Sequence, residues 1–526
     1  MRCFFIIFAI SSVLTASAVG TDGKRLRPPG GCCSSDVMTR TYVPTTRSSS
    51  GLQGDVRIPI ILAAFSDVPF TIPDVQQVWE DIANKPGYSE HGASGCMADY
   101  FQEQSRGQFR VTFDVLGPVT LTHERAYYGQ NSSSGRLDVK VSEMIRDACS
   151  LVADLPGVEL SNYVWSTPQV VETVLVVYAG CGENVKGAPA DAVWPKMGYA
   201  FSSVGDYRLS SYACANELLW PGLTQEGFGT LLHEFSHCLG LPDLYNTDNS
   251  VDDYIIFDEW DLMDGGCYAG DSWRPVGYSA YERYLCGWLD PEELTEPTAV
   301  ENLKPLTAGG QAYLIRNDGK DNECFLLENR QQESFDTLLP GHGLLITHVS
   351  GYGSTSMSPN YGASVKIYPV PADNLDYRWS VKQYVHDYYG VTLPDDALNL
   401  TAEYMSFRYD EQGRSRLMAG TAYPYVKDGV VLNNELTDDS TPKAVTLDAN
   451  ASGEKLLSRP VKGIREEAGL ISFSFMDPSA ALPSSLSGSR VIAAYFDLYG
   501  RRIPAPAVGS VSIVRYADGT TQKIVR

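Results

Sequence analysis

Two histidines four residues apart, with a glutamate directly after the first, stand in the run Leu231-Leu232-His233-Glu234-Phe235-Ser236-His237. On a helix, positions i and i+4 lie one turn apart on the same face, so His233 and His237 can both reach one metal ion. Glu234 is offset by one position, placed to contact a water on the metal instead of the metal itself. Gly240 stands where a left-handed helix end is wanted, and the sharp turn it permits brings Asp243 back as a third ligand. The full pattern is HExxHxxGxxD, in a chain with only seven histidines among 526 residues. Three protein ligands leave one position on Zn2+ open for water. Zinc lowers the pKa of that water to about 7, and Glu234 is the base that takes its proton and passes it to a leaving amine. The bland alternative is two satisfied histidines on a core helix.

The helix that carries this motif needs an apolar face, which Phe228, Leu231, Leu232, Phe235 and Leu239 supply, and Thr224 is its expected N-cap. Farther on comes Trp260-Asp261-Leu262-Met263-Asp264-Gly265-Gly266. Metzincin-type enzymes keep a methionine-containing turn beneath the metal, and Met263 fits that place. An isolated methionine would otherwise be read as core packing.

The rest of the chain is read around these elements. Its hydrophobic fraction of 43% and charged fraction of 20% allow real cores and exclude wholesale disorder. A net charge of −23 argues against nucleic acid or an anionic membrane surface as partner, since both repel it. Arg2, the apolar run Cys3 to Leu14 and Ala16-Ser17-Ala18 form a secretory signal peptide over residues 1–18. No later apolar run is long enough to span a bilayer, so the expected location is secreted or at the cell surface. Residues 19–54 read as a leader or short pro-segment. Residues 55–298 mix strands and helices, with a buried strand at Thr173 to Ala179 and helical spacing at Cys96 to Ser105 and Val139 to Val152. Pro59 weakens the run Ile58 to Phe65 or places it at an edge. Residues 299–476 hold short alternating runs separated by turn residues, as in a β-sandwich. A linker at 477–489 leads to a small β module at 490–526. The fold class is therefore α+β: a domain carrying the HExxH motif, an all-β sandwich-like domain and a C-terminal β module.

The segments HEFSHCLGLPDLY, WDLMDGG and GYSAYERYLCGWL, with GCMADYFQEQSRGQF at 95–109 and LENRQQESFDTLLPGHGLLITHV at 327–349, resemble the immune inhibitor A family of secreted zinc metalloproteases. The likeness is nearest to the branch found in Bacteroides-like bacteria and covers residues 55 to 476. It implies a metzincin-like catalytic domain and endopeptidase activity. The expected partners are protein or peptide substrates, of host or glycoprotein origin, and the expected state is a monomer. By the family pattern His233, His237 and Asp243 are zinc ligands and Glu234 the base. Three departures stand out, one of them Pro59, which interrupts a strand expected to be unbroken. The long pro-region common in such enzymes is missing or reduced to residues 19–54, and Gly265 occupies the place where some metzincins carry a tyrosine. Tyr268 and Tyr278 are alternative donors of a transition-state hydrogen bond, and the sequence does not choose between them.

Other features carry two readings each. Asp248, Asn249, Asp252 and Asp253 form an oxygen-rich loop that suits Ca2+ or is simply a solvated acidic loop. Cys32-Cys33 could place a thiolate on zinc to keep a zymogen silent, but a surface disulfide or free thiols is the better reading. Cys238 adjoins a ligand yet points off the ligand face, into the core. His342 and His348 read as structural, and Glu328 with Arg330 as an ion pair or domain contact. The tail from Tyr495 to Lys523 resembles the sorting domains of type IX secretion. Against the enzyme stand two competitors: a catalytically silent adhesin or glycan-binding protein on the same fold, and a zinc hydrolase of non-peptide bonds. Retention of Glu234 argues against the first, because a binding protein has no need of the base.

Overall fold

A computed structural model describes residues 52–133, 138–184, 188–219, 222, 224–248, 255–354, 356–376, 378 and 409–476, together with four strands between 492 and 525. The expected signal peptide, nearly all of the expected leader with Cys32 and Cys33, the expected linker, and Asn249, Asp252 and Asp253 of the oxygen-rich loop lie outside the described residues. Two compact units result, one ending at Phe475 and one running from Met476 to Arg526.

The first unit is built on a six-stranded sheet. Its strands are β1 (Gly54–Ala64), β2 (Phe109–Thr120), β3 (Val170–Cys181), β4 (Lys196–Val204), β5 (Tyr207–Leu219) and β6 (Thr224–Gln225), in the order β2-β1-β3-β5-β4 with β6 on β5. β1, β2, β3 and β5 are parallel, and β4 runs antiparallel to β5 at the edge. The near-continuous apolar runs of β1 and β3 are what a parallel sheet covered on both faces requires. Pro59 does not break β1. It pairs in register with Asp114 of β2 and lies one residue before pairing with β3 begins at Ile60, so its missing N–H disrupts no ladder between β1 and β3.

The helices are α1 (Val75–Asn84), α2 (Met97–Gln104), α3 (Arg125–Tyr128), α4 (Val141–Ala153), α5 (Gly229–Cys238) and α6 (Ala280–Leu285). On one face of the sheet, Ile61, Ala63, Val176 and Tyr178 pack against Val141, Met144, Ile145 and Cys149 of α4. On the other, Phe235 of α5 makes edge-on ring contacts with Phe101 of α2 and Phe113 of β2. Alternate residues of each strand thus serve two cores. α2 begins in a capping box, where Cys96 Sγ accepts from the Asp99 N–H and the Asp99 carboxylate accepts from the Cys96 N–H.

Beyond α6 the strands Ile367–Pro369, Gly343–Ser350, Lys320–Arg330, Ala312–Asn317 and Glu292–Glu293 form a second sheet in that order. Val461–Glu467, Leu470–Phe475 and Thr298–Leu303 form a third. The two meet where the Tyr313 and Phe473 rings touch edge-on and where the Asn329 amide donates to the carbonyls of Leu303 and Gly469. Contacts do not divide at residue 298: Glu292–Glu293 pairs in parallel with Ala312–Asn317 across that point. The second unit is a four-stranded antiparallel sheet of Arg502–Ile503, Ile492–Phe496, Val511–Tyr516 and Thr521–Val525. All eight described cysteines are free thiols, seven of them buried. Burial drives the thiols of Cys96, Cys149 and Cys214 up to about 12, so they behave as core side chains. No helix among the described residues is long and apolar enough to cross a membrane.

Candidate metal centre

α5 carries the motif, but it starts later than the sequence suggests. Phe228 holds the N-cap position and Thr224 belongs to β6, hydrogen-bonded to β5. The reason is tertiary: the Gly229 N–H donates to the Ser272 carbonyl, and a Cβ at Gly229 would lie 2.0 Å from the Cys267 carbonyl oxygen. The helix start is thus docked against the 265–272 segment, where only glycine fits. At the other end Gly240 has φ 95°, the left-handed conformation the spacing requires.

The turn returns Asp243 to the helix. Asp243 Oδ1 lies 3.4 Å from His233 Nε2 and 3.1 Å from His237 Nε2. All three residues are buried, and among the described residues they form the one group of three or more His, Cys, Asp or Glu side chains able to hold an ion. Neither Nε2 has a hydrogen-bond partner of acceptable geometry. Ligand atoms about 2.0–2.1 Å from a tetrahedral zinc stand roughly 3.3 Å from one another, so the observed spacing fits that ion. Each imidazole is oriented from behind: His233 Nδ1 sits 3.0 Å from the Leu262 carbonyl oxygen and His237 Nδ1 sits 2.8 Å from that of Leu241. A proton on each Nδ1 leaves the Nε2 lone pair for the metal. Burial presses His237 toward its neutral form, but the Asp243 charge overcomes this and lifts its pKa to about 9 without the ion. Asp243 is likewise penalised by burial, yet the two histidines hold its carboxyl down to about 2.

Glu234 is fully buried, and its Oε2 accepts the Met197 N–H of edge strand β4 at 2.7 Å. The carboxylate is thereby tied to the sheet edge next to the metal centre. Met263 is buried, and its turn touches the site through the backbone: the Leu262 carbonyl holds His233, and the Met263 carbonyl accepts the Leu244 N–H at 2.9 Å.

The two candidate tyrosines fall in different places. Tyr278 is fully buried, with its hydroxyl 2.5 Å from Ser236 Oγ and its ring edge-on to Tyr100, so it serves the core behind α5. Tyr268 is half-buried and ends the single 3-10 turn Gly265–Tyr268. Tyr245, which the sequence reading passed over, stacks on His233 with ring centroids 6.5 Å apart. Its only sequence signal is an aromatic two residues after Asp243. Of the calcium candidates only Asp248 is described; its N–H donates to the Asn246 side chain. Cys238 is half-buried. His342 makes an exposed contact with Glu466 and His348 a buried one with Glu323, and Arg330 pairs with both Glu328 and Asp336. The His342, His348 and Arg330 contacts agree with their structural reading, whereas Cys238, expected in the core, is only half-buried because it ends α5.

Residues 76–286 match the immune inhibitor A peptidase M6 catalytic domain, a span that contains the whole metal centre. The chain is similar to the pre-pro-metalloprotease PrtV of Vibrio cholerae serotype O1, with 24% identity over 253 residues, 40% of this chain and 27% of that protein. It is also similar to immune inhibitor A of Bacillus thuringiensis subsp. alesti, with 25% identity over 283 residues, 46% of this chain and 39% of that protein. The chain therefore spans about a quarter to two-fifths of the length of the curated relatives it matches. The family resemblance read from the motifs stands, and it supports a metallopeptidase.

Proposed function

We propose that this chain, whose residues 76–286 carry the immune inhibitor A peptidase M6 domain, is a secreted zinc endopeptidase that hydrolyses protein substrates. The observation that carries the reading is the convergence of His233 Nε2, His237 Nε2 and Asp243 Oδ1 on one point beside Glu234. Zinc, when bound there, supplies a Lewis acid that polarises the substrate carbonyl and acidifies a water. The chain does the rest. Leu262 and Leu241 orient the two imidazoles through their carbonyls. Glu234 takes a proton from the attacking water and delivers it to the amine as the peptide bond breaks. The Met197 N–H keeps the Glu234 carboxylate aimed and holds it near strand β4, whose outer edge is unpaired among the described residues and suits an extended substrate.

The four parallel strands with an antiparallel edge, the motif helix and the turn at Met263 together favour a metzincin-like catalytic unit. Residues 55–298 would form that unit and 299–476 its β-rich companion. The N-terminal apolar run supports export, and the separate four-stranded sheet at the C-terminus supports a sorting or attachment module. The test is a peptide-library digest read by mass spectrometry, run with the intact protein, a chelated sample and Glu234→Gln. Cuts that vanish in both controls are expected. Persistent cleavage by Glu234→Gln would sink the assignment. Zinc bound stoichiometrically without any cleavage would favour a silent binding protein on the same fold.

A further inference from the structure

Asp258, Glu259, Asp261 and Asp264 around the methionine turn are buried, and Asp261 has an unusual partner. Asp261 and Glu282 are both fully buried and face each other. One oxygen of each is used by local donors: Asp261 Oδ1 accepts the Met263 N–H at 2.8 Å, and Glu282 Oε2 accepts the Ser279 N–H and hydroxyl at 2.8 Å each. The remaining oxygens, Asp261 Oδ2 and Glu282 Oε1, are buried with no donor. The donors nearby are committed elsewhere: the Ser279 hydroxyl, which also lies beside Asp261, gives its hydrogen to Glu282 Oε2. The Tyr100 hydroxyl donates to the Val276 carbonyl, and that of Tyr278 is paired with Ser236. Arg330 spends two bonds on Asp336 and a contact on Glu328. Two acceptors brought together in a dry interior require a hydrogen between them.

We propose that Asp261 and Glu282 share one proton and form a positioning device for the metal centre, clamping the 261–263 turn to the start of α6. The inference rests on the peptidase reading above. The turn touches two of the three ligand positions. The Leu262 carbonyl orients the His233 ring, and the Met263 carbonyl holds the Leu244 N–H, adjacent to Asp243. Asp261 closes the turn from within, its own carbonyl accepting the N–H groups of Asp264 and Gly266 at 3.2 and 2.9 Å. Burial, and for Glu282 also the Asp261 charge, raises both carboxyls above their ordinary range. The Glu328 carboxylate works in the same direction and Arg330 against it. Because the folded pair keeps a proton that the unfolded chain releases above about pH 4.5, the pair's contribution to stability falls as pH rises toward its folded pKa.

Parity of donors gives the test. Asp261→Asn and Glu282→Gln each place one amide N–H against one carboxylate, replacing the shared proton. The double variant sets two NH2 groups against each other, since both amide oxygens are committed to the Met263 and Ser279 donors. Zinc affinity is measured by chelator competition, and the melting temperature is followed with and without zinc from pH 5 to 9. Each single variant is expected within about threefold of the parent in affinity. The double variant is expected to bind zinc about 10–100-fold more weakly, the loss typical of an outer-shell partner, and to melt lower. The advantage of Glu282→Gln over the parent in melting temperature should grow with pH. Single variants as damaged as the double would reduce the pair to packing and overturn the proposal, and so would a double variant equal to the parent. A parent protein that binds no zinc overturns the peptidase reading instead, and the parity pattern in metal-free melting then decides the pair alone.

Discussion

Two buried histidine–carboxylate contacts in this molecule look alike in composition and differ in what they leave over. His348 Nε2 meets Glu323 Oε1 at 2.7 Å, and the Glu323 carboxylate also accepts from Asn317 Nδ2 at 2.7 Å and from the N–H groups of Leu447 and Asp448. Those donors hold the Glu323 carboxyl down to about 2 against the penalty of burial, and burial keeps His348 toward neutral. The protein itself has used up that charge. At the candidate metal centre Asp243 has no comparable set of amide donors among the described residues. Its Oδ1 faces the two histidine Nε2 atoms, whose rings are already fixed through Nδ1. A buried carboxylate satisfied by the chain is a cross-link. One that shares its space with two oriented lone pairs is suited to holding a metal ion, as proposed above.

This contrast can be broken or sharpened by substitution. Glu234→Gln should lower kcat on a peptide substrate by about 10²–10⁴-fold, the usual worth of a general base, with zinc content unchanged by metal analysis. Asp243→Ala should weaken zinc binding by more than the ~10–100-fold of an outer-shell change, seen in chelator competition, while the fold persists by circular dichroism. Glu323→Ala should do the opposite. Breaking that buried pair should cost about 3–5 kcal/mol in denaturant unfolding and leave zinc affinity unaltered. Its pH signature is also defined. The lowered Glu323 pKa adds stability that is present above about pH 4.5 and lost as pH falls toward about 2, and Glu323→Ala should flatten that acid limb. A shift in zinc affinity in Glu323→Ala would erase the distinction between the two sites. The smallest effect is expected from Tyr278→Phe, which removes the bond to Ser236: about 1 kcal/mol of stability and no change in kcat/KM. A large loss of kcat in that variant would return Tyr278 to the reaction.

Much of the centre was legible because it is local. The i, i+4 spacing of His233 and His237 needs only a helix, and Gly240 needs only the left-handed turn it adopts. The strand around Thr173 to Ala179 and the helices near 97–104 and 141–153 followed from periodicity. Other features were not legible, because their cause lies far away in the chain. Thr224 looked like an N-cap, but pairing with β5 claimed it for a strand. Pro59 looked like a strand breaker, but the order of pairing made it harmless. The backbone carbonyls of Leu241 and Leu262 leave no trace in residue type, and neither does the Met197 N–H on Glu234.

By itself the sequence determined which atoms could bind a metal and which carboxylate could act as base, since these depend on residue type and on spacing within one turn. Only the tertiary structure decided that the ring nitrogens converge dry and oriented, that the base is held from an edge strand, and that Asp261 meets Glu282. Those contacts join residues up to 37 positions apart, and only packing of the whole sheet, helix and turn brings them within hydrogen-bond reach.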